Sequence, residues 1–351
     1  MTKPKIGLEV GIAQGRKSGV GVYVFELVRH FSNEIELIPL KASGADLSTP
    51  KRLLADQFIL PRIASKAKID LLHQPAFSCP IFYKKTPKIL TVHDLIPLIL
   101  PSNFKPASAF FWRSLLPYSI KKADFIITVS FATKKDLVTY LKIPEEKIAV
   151  THLGVDERFK PGLPAKNPPY VLFVSTLEPR KQPLLLLKIL RGIIEAGLPH
   201  RLKIVGKRGW AMEAFDRYLK EHPKVLERTD LLDYVSDEEK VSLYQSAEAL
   251  IFPSLYEGFG LPPLEAMACG TPVVASAVAS LPEVVGDAGI LLPPQEERLW
   301  IERVVKLLKS EREKRLLREK GLKRAKLFSW QKCAQVTEAI YKKVLEEHKR
   351  F

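Results

Sequence analysis

The chain has 351 residues, of which 46% are hydrophobic and 27% are charged, and its formal net charge at pH 7 is +16. This length and apolar content predict two globular domains, each with a sizeable core. The longest uncharged run covers residues 266–282 and is interrupted by Gly270, Pro272 and Pro282, so no membrane-spanning helix is expected.

Cysteine usage indicates a reducing compartment. The three cysteines are too widely and irregularly spaced for a disulfide framework or a metal site: Cys79, Cys269 and Cys333. The opening residues 1–19 contain too short an apolar run for a secretion signal. We therefore expect a cytoplasmic protein.

The positive charge is uneven, because residues 1–160 hold 24 basic and 14 acidic residues. Such a surplus favours an anionic partner, either nucleic acid or the anionic face of a membrane. Nucleic acid is disfavoured because no aromatic-basic platform or nucleic-acid-binding motif is present. A thermophile's surface composition is an alternative source of the charge, since Met and Asn occur only three times each.

The first half of the chain alternates apolar runs with amphipathic segments. Helices are predicted at Val20–Phe31 and Thr133–Leu141, and Ser130 is expected to cap the second one. These helices lie between apolar runs that are rich in β-branched residues. The strands predicted from these runs are Ile6–Val10, Ile69–His73, Lys88–Val92, Phe125–Val129 and Ile148–His152. This order predicts a parallel sheet with helices on both faces. The basic, partly amphipathic segment Pro50–Lys68 is either an ordinary surface helix or a segment that lies on a membrane.

Residues 160–170 read as a linker, because five of the eleven are Pro or Gly. After this linker the alternation restarts. The predicted strands are Tyr170–Ser175, Leu202–Val205, Leu231–Tyr234, Ala249–Pro253 and Pro272–Ala275, and the predicted helices are Pro183–Ala196, Trp210–Lys220, Asp237–Ser246, Pro262–Cys269 and a long charged helix from Glu296. Two such α/β domains place a ligand-binding cleft at the carboxyl ends of their strands.

The most informative stretch is EGFGLPPLE, residues 257–265. Gly258 and Gly260 let backbone N–H groups approach a ligand, and a proline suits the first turn of the helix that follows. A helix N-terminus binds anions, and Glu257 and Glu265 would accept hydrogen bonds from hydroxyl groups on either side of a phosphate. Hydroxyls, phosphates and further hydroxyls in that order describe a nucleotide sugar. The structural alternative is that Glu257 caps the helix and Glu265 complements its dipole.

A second motif, VSTLEPRKQP at residues 174–183, follows the first strand of the second half. Arg180 and Lys181 would stabilise the negative charge that develops on a departing nucleoside diphosphate. The chain has no Asp-x-Asp pair to hold a metal-bound diphosphate, so we expect no metal ion and no cofactor. The alternative is a solvated Arg-Lys turn.

Together these motifs resemble the retaining glycosyltransferases of family 4, which have the GT-B fold of two Rossmann-like domains with parallel sheets facing across a cleft. The resemblance covers nearly the whole chain, and residues 241–293 look like the donor-site block of the family. It implies an acceptor-binding domain over residues 1–160 and a nucleotide-sugar donor domain over residues 161–327. A last helix, at about 328–351, would pack back on the first domain.

The resemblance also implies roles for the two motifs. Glu257 would hold the donor sugar together with the backbone N–H groups after it, which belong to Gly258, Phe259, Gly260 and Leu261. Glu265 would hold the ribose hydroxyls. Many relatives carry Gly-Arg where this chain has Ser175-Thr176, so Arg180 would have to replace that arginine.

Two motifs of the first half match as well. Gly21, in SGVGVYVFELVRHF, would approach the donor diphosphate or the acceptor, although a plain tight turn is the alternative. His93, in TVHDLIPL, would lie near the donor sugar, and Asp94 would orient it or contact the acceptor. A histidine at a strand end can also be purely structural.

Weaker matches complete the set. Gly206 and Lys207 would reach the diphosphate, and Tyr234 and Val235 would line the base pocket.

The resemblance implies a hexosyltransferase that acts with retention, by front-face attack assisted by the donor's own phosphate. The sequence motifs VHDLIPL, LEPRK and SLYEGFGLP most resemble those of bacterial mannosyltransferase-like members that build surface polysaccharides, which favours GDP-mannose as donor. The acceptor would be a saccharide or a lipid-linked saccharide, at the inner face of the membrane if the basic first domain binds lipid. The alternatives are a UDP-sugar donor, an epimerase or glycogen-type synthase of the same fold, and a non-catalytic nucleotide-sugar binder.

Overall fold

The computed structural model describes residues 3–14, 19–42, 44, 49–76, 78–101, 106–162 and 168–349. It divides into two compact units. Unit 1 comprises residues 1–154 and 329–351, and unit 2 comprises residues 155–328. Each unit is built around one parallel sheet.

Unit 1 contains a six-stranded sheet in the order β2-β1-β3-β4-β5-β6, with every pairing parallel. Its strands are β1 (Lys5–Glu9), β2 (Glu36–Leu40), β3 (Leu71–Gln74), β4 (Lys88–Val92), β5 (Phe125–Thr128) and β6 (Ile148–Val150). Its helices are α1 (Gly19–His30), α2 (Thr49–Leu54), α3 (Leu60–Lys66), α4 (Ile96–Ile99), α5 (Pro106–Ile120), α6 (Phe131–Leu141) and, after unit 2, α15 (Trp330–His348), with a π-helical turn at Ala55–Ile59 between α2 and α3.

The last helix, α15, completes the core of unit 1. Ile340, Tyr341 and Val344 pack against the buried β1, β3, β4 and β5 residues of the sheet. The buried His73 on β3 shares a 2.6 Å hydrogen bond between its Nδ1 and the Tyr341 hydroxyl. The Ser32 hydroxyl donates to a carboxylate oxygen of the buried Glu338 at 2.8 Å.

Unit 2 contains a second six-stranded parallel sheet, in the order β12-β11-β10-β7-β8-β9. Its strands are β7 (Tyr170–Val174), β8 (Arg201–Val205), β9 (Thr229–Leu232), β10 (Ala249–Phe252), β11 (Val273–Ser276) and β12 (Ile290–Leu292). Its helices are α7 (Pro183–Glu195), α8 (Glu213–Glu221), α9 (Pro223–Glu227), α10 (Asp237–Ser246), α11 (Leu261–Cys269), α12 (Leu281–Val285), α13 (Glu297–Leu308) and α14 (Glu311–Ala325).

The prediction of parallel α/β architecture is confirmed in both units. Burial explains why: the central strands β4, β7, β10 and β11 are buried along their whole length, so each reads as a continuous apolar run. Ser130 caps α6 as predicted, its hydroxyl accepting the N–H of Thr133 at 3.1 Å.

The structure corrects several boundaries. Two edge strands, β2 and β12, were not predicted; β2 is half-exposed and contains Pro39, so its apolar pattern is weak. The long charged helix predicted from Glu296 is two helices, because Ser310 accepts the N–H of Glu313 and starts α14. Strand β9 ends at Leu232, which leaves Tyr234 outside the sheet.

Two predicted segments need a separate comment. Residues 163–167 of the predicted linker lie outside the described residues. The basic segment Pro50–Lys68 forms α2, the π-helical turn and α3. In the part of the chain that the structure describes, no helix has both the length and the apolar character needed to cross a bilayer.

Candidate functional site

The loop between β10 and α11 carries the first glutamate of the EGFGLPPLE stretch. Gly260 has φ +118°, and a Cβ there would lie 2.9 Å from a methyl group of Leu281, so only glycine fits this turn. Helix α11 begins directly after it, with prolines in its first turn. The Ser280 hydroxyl lies 2.9 Å from the Glu257 carbonyl oxygen and 2.6 Å from that of Phe259. This contact fixes the loop that presents Glu257.

Glu257 forms one buried cluster with the cations of the second motif. Its Oε1 accepts hydrogen bonds from the Lys181 ammonium and from the Arg180 guanidinium, the latter at 3.1 Å. Arg180 also donates at 2.5 Å to the Tyr256 carbonyl and at 2.5 Å to Glu178. The exposed fractions of the Lys181, Glu257 and Arg180 side chains are only 6%, 12% and 13%. The short helical turn Pro179–Lys181, after β7, places both cations at the carboxyl edge of the sheet.

The charges in this cluster hold one another in the ionised state. Burial opposes ionisation of Glu257, but the Lys181 ammonium and the Arg180 guanidinium outweigh it and lower the pKa of the carboxyl. Burial lowers the pKa of Lys181, and Glu257 counteracts that effect. The Lys181 ammonium also lies 4.9 Å from the centroid of the Phe252 ring, a cation–π contact. Two cations and two carboxylates, including Glu178, therefore balance in charge.

The second glutamate, Glu265, lies in the second turn of α11 and is 8% exposed. Its carboxylate is bound by two side chains of α10. Lys240 Nζ lies 2.8 Å from Oε1 and 2.7 Å from Oε2, and the Tyr244 hydroxyl donates to Oε2 at 2.8 Å. The two glutamates of the motif therefore belong to different clusters. Neither acts as the helix cap or dipole partner of the structural alternative.

The glycine after β8 is required by the fold itself. Gly206 has φ +138°, and a Cβ there would lie 2.3 Å from the Ser175 carbonyl oxygen. Its N–H donates to the carbonyls of Leu232 and Asp233, at 2.9 and 3.0 Å, so this N–H is not directed at a ligand. Whether Gly206 approaches a diphosphate by another part of its backbone stays a prediction. Lys207, next in the chain, is exposed.

Tyr234 and Val235 lie in the segment between β9 and α10. Tyr234 is 59% exposed and Val235 is half-buried. This segment follows the carboxyl end of a strand of the same sheet, so it borders the edge that carries Arg180 and Lys181.

In unit 1, His93 and Asp94 follow the carboxyl end of β4. His93 Nε2 lies 2.9 Å from the Pro75 carbonyl oxygen, and its ring packs edge-on against Tyr23 with centroids 5.0 Å apart. Burial lowers the pKa of His93 to about 4, although the Pro75 carbonyl opposes the shift. The ring is therefore neutral at pH 7. Because a carbonyl can only accept, the proton sits on Nε2 and Nδ1 is left as an acceptor.

The other two candidates of unit 1 lie at the starts of helices. Asp94 Oδ1 accepts the N–H of Ile96 at 3.0 Å at the start of α4. Gly21 is buried in the first turn of α1, which starts at Gly19, so it lies inside the helix and not in a turn before it. Residues 15–18, just before α1, lie outside the described residues.

Sequence reasoning missed three side chains of these clusters. Glu178 lies two residues before Arg180, and an acidic residue so close to a predicted phosphate-binding cation was a usable signal. Lys240 and Tyr244 lie four residues apart, hence on one face of α10. Nothing in the sequence alone indicates that this face meets Glu265. Among the described residues, no group of three or more His, Cys, Asp or Glu side chains is arranged to hold a metal ion.

Family models match both units. The model for "Glycosyltransferase Family 4" matches residues 17–159, and the model for "Glycosyl transferases group 1" matches residues 155–324. The chain is 30% identical to O-antigen chain mannosyltransferase B of Escherichia coli, over 93% of this chain and 96% of that protein. It is 32% identical to the MMP alpha-(1->4)-mannosyltransferase of Mycolicibacterium hassiacum, over 74% and 66% of the two chains.

Solved structures agree in fold. The sucrose-phosphate synthase of Thermosynechococcus elongatus superposes with a TM-score of 0.76 at 21% identity, covering 99% of this chain and 100% of that one. The lipopolysaccharide glycosyltransferase WaaG superposes at 0.73 and 14% identity, over 96% and 99%. Anabaena HepE, solved with UDP and glucose, superposes at 0.71 and 17% identity, over 97% and 100%. The chain has the GT-B fold, and it belongs to glycosyltransferase family 4.

Proposed function

We propose that this glycosyltransferase moves mannose from GDP-mannose to a saccharide or lipid-linked saccharide acceptor, with retention and without a metal ion or other cofactor. The observation that carries the proposal is the Glu257, Lys181 and Arg180 cluster at the carboxyl edge of the unit 2 sheet. The choice of mannose is supported by the two relatives that are named as mannosyltransferases.

In this proposal the cluster binds the part of the donor that changes charge. When the bond between the sugar C1 and the diphosphate oxygen breaks, Lys181 and Arg180 stabilise the electrons that remain on the phosphate. Glu257 holds both cations and accepts hydrogen bonds from sugar hydroxyls. The backbone N–H groups at 258–261 donate hydrogen bonds to those hydroxyls. Because the cations are already fixed by carboxylates, they need little reorganisation when the phosphate charge develops.

Transfer would proceed on one face of the sugar. The acceptor hydroxyl oxygen forms its bond to C1 on the side that the diphosphate leaves, and its proton passes to a phosphate oxygen of the leaving group. No protein nucleophile is required for this route. His93 would accept a hydrogen bond from a donor hydroxyl through Nδ1, and Asp94 would contact the acceptor.

The other proposed contacts concern the nucleotide. Glu265 would bind the ribose hydroxyls, and Tyr234 with Val235 would line the base pocket. Lys207 and Gly21 would approach the diphosphate. For Gly206 we propose a supporting role in shaping this edge, because its N–H is bonded within the fold.

The direct test is thermal-shift binding of GDP, UDP, ADP and TDP, each with and without Mg²⁺, followed by transfer from GDP-mannose and determination of the product's anomeric configuration. A selective shift with GDP, together with retained configuration, is expected. A shift with UDP alone would favour the alternative of a UDP-sugar donor, which the UDP complex of HepE keeps open. Tight binding without transfer to any acceptor would favour a non-catalytic binder.

An exposed apolar patch on unit 1 supports an anionic membrane surface as a partner at the cytoplasmic face. Gln57 bonds the Cys79 carbonyl at 3.0 Å and the Ile81 N–H at 2.8 Å, which brings two exposed apolar segments together. The patch consists of Leu54, Phe58, Ile59 and Phe82, which are 45–82% exposed, and Lys51, Arg62, Lys84 and Lys85 are exposed in the same segments. Apolar side chains flanked by lysines suit anionic lipid.

Co-sedimentation tests this partner. Vesicles that contain phosphatidylglycerol should retain the protein, and pure phosphatidylcholine vesicles should not. The double variant Phe58→Ser, Phe82→Ser should lose retention while its thermal unfolding is unchanged, because both side chains are exposed. Equal retention by both kinds of vesicle would contradict the electrostatic part of the proposal.

A further inference from the structure

The carboxylate of Glu265 is held by an ammonium group that belongs to a different helix. Lys240 Nζ bridges both carboxylate oxygens, at 2.8 and 2.7 Å, and the Tyr244 hydroxyl donates to one of them at 2.8 Å. The exposed fractions of the Glu265 and Lys240 side chains are 11% and 26%. The pair is therefore largely shielded from water, but part of the ammonium remains accessible.

Two aromatic rings fix the position of this ammonium. Lys240 Nζ lies 5.1 Å from the centroid of the Phe159 ring and 5.9 Å from that of Tyr244. The two rings pack edge to face, with centroids 5.9 Å apart. Gln245 donates to the Lys160 carbonyl at 2.8 Å and ties the segment that carries Phe159 to α10. Ring faces attract cations, so Lys240 is held at the carboxylate from several sides.

This arrangement offers both kinds of hydrogen-bonding group to a ligand. A carboxylate presents about four acceptor positions, and an ammonium has three donors and no acceptor. A hydroxyl group beside the pair can donate to Glu265 and accept from Lys240 in the same geometry. Two adjacent hydroxyls, as on ribose, match this pattern better than a single hydroxyl. The ammonium also cancels a carboxylate charge that would otherwise repel a nearby diphosphate.

We propose that Lys240 is a positioning residue for ribose recognition: it orients and neutralises Glu265 so that the vicinal diol of a nucleoside diphosphate is read by the pair. The inference rests on the proposed function, since the diol belongs to the nucleotide of the donor. It adds to that function a residue, on α10, that sets the preference for a ribonucleotide.

A purely structural salt bridge is the competing explanation, and it makes a different prediction. Loss of such a bridge changes stability and lowers affinity for all nucleotides alike. Loss of a positioning residue changes the ratio of affinities for ligands that differ only in the diol. The chain offers a control in Lys188 of α7, whose Nζ lies 2.6 Å from Glu297 of α13 and whose exposed fraction, 32%, is similar.

The test is titration calorimetry of the full chain with GDP and with 2′,3′-dideoxy-GDP, and in parallel with the corresponding UDP pair. For the wild type, the ribonucleotide should bind at least about tenfold more tightly, because a site built for hydroxyls is left with unpaired groups by the dideoxy form. In Lys240→Met this ratio should fall below about threefold. Lys240→Arg should keep the preference, and Lys188→Met should match the wild type.

The outcomes separate the inference from the proposed function. If the wild type binds a ribonucleotide selectively and Lys240→Met keeps the full preference, the inference is overturned and the proposed function stands. If wild type binds both forms equally, Glu265 and Lys240 do not read the diol, and the inference is again overturned. If no nucleotide binds the wild type, both fail. Should Lys240→Met unfold, Lys240→Gln, which keeps a hydrogen-bond donor but no charge, replaces it, and a lowered ratio there supports the inference.

Discussion

The candidate residues of the two units are held by opposite kinds of interaction. In unit 2, Glu257, Lys181 and Arg180 form a compact set of buried ion pairs. In unit 1, His93 is held by a carbonyl and an aromatic ring, and the nearby His73 by hydroxyl groups of Thr91 and Tyr341, without a formal charge among them. Charged groups suit a ligand whose charge changes during the reaction, whereas neutral groups suit orientation of hydroxyls.

The largest effect should come from breaking the ion pairs of unit 2. Lys181→Ala and Glu257→Ala should each lower turnover by about 100-fold, the size reported for removing one preorganised electrostatic group. Turnover is measured at saturating concentrations of donor and acceptor, and circular dichroism of each variant shows whether the chain is folded. Lys188→Ala, in a half-exposed pair on the same unit, is the control and should keep normal turnover. Near-normal rates in both site variants would remove this cluster from the mechanism.

The neutral network of unit 1 should instead respond to acid. Burial lowers the pKa of His73 to about 3, so the folded state keeps it neutral while the unfolded chain binds a proton below its ordinary value near 6.5. The contribution of neutral His73 to the free energy of unfolding is therefore fully present above pH 6.5 and is lost as the pH falls towards 3. Between pH 7 and pH 5, protonation of His73 in the unfolded chain lowers the free energy of unfolding by about 2 kcal/mol.

Denaturant unfolding at pH 7 and pH 5 measures this difference. The wild type should lose about 2 kcal/mol more than the variant His73→Gln, which cannot be protonated. Tyr341 and Thr91 keep a hydrogen-bonding side chain in that variant. An identical loss in both proteins would show that other groups cause the acid sensitivity.

A smaller effect is expected at Tyr234, which is 59% exposed and carries no charge. Tyr234→Ala should weaken binding of the nucleotide by about fivefold to tenfold, since a stacked base is worth about 1 kcal/mol at the low end. Isothermal titration with GDP, or with UDP if that is the ligand, reads the change. Unfolding temperature should stay the same, and an unchanged Kd would take Tyr234 out of the base pocket.

No effect is expected from removal of divalent metal. Because Lys181 and Arg180 are proposed to stabilise the leaving diphosphate, activity in excess EDTA should stay within about twofold of the untreated enzyme. Initial rates before and after dialysis against the chelator, with Mg²⁺ added back, measure it. A strict metal requirement would contradict the role given to the cations and leave the fold and family untouched.

The sequence could be read most fully where local chemistry is decisive. Gly260 and the prolines after it predict a tight turn and a helix start, and the structure has both. The buried central strands are predicted because they are continuous apolar runs. The edge strand β2 is not, because it is half-exposed and contains Pro39, and β12 is not, because it has only three residues. A serine cap at Ser310 was not foreseen inside a uniformly charged stretch.

Partnerships between distant residues could not be read in the same way. The pairing of Glu257 with Lys181 spans 76 positions, and that of Glu265 with Lys240 spans 25. These pairs depend on which loops meet at the sheet edge, and the order of strands within the sheet decides that. Gly206 shows a further requirement that the sequence does not reveal: a Cβ there would lie 2.3 Å from the Ser175 carbonyl oxygen, so the fold itself requires glycine.

Helix α15 gives the chain an order of assembly. Its side chains Ile340, Tyr341 and Val344 belong to the core of unit 1, yet they are synthesised only after all of unit 2. A nascent chain therefore carries a first unit with an open apolar face until its last segment emerges, while unit 2 already has its full sequence. Within unit 1, Gly154 packs against the start of α15, where a Cβ on the glycine would lie 2.1 Å from the Trp330 backbone nitrogen. The core of the first unit is complete only once α15 has packed against its sheet.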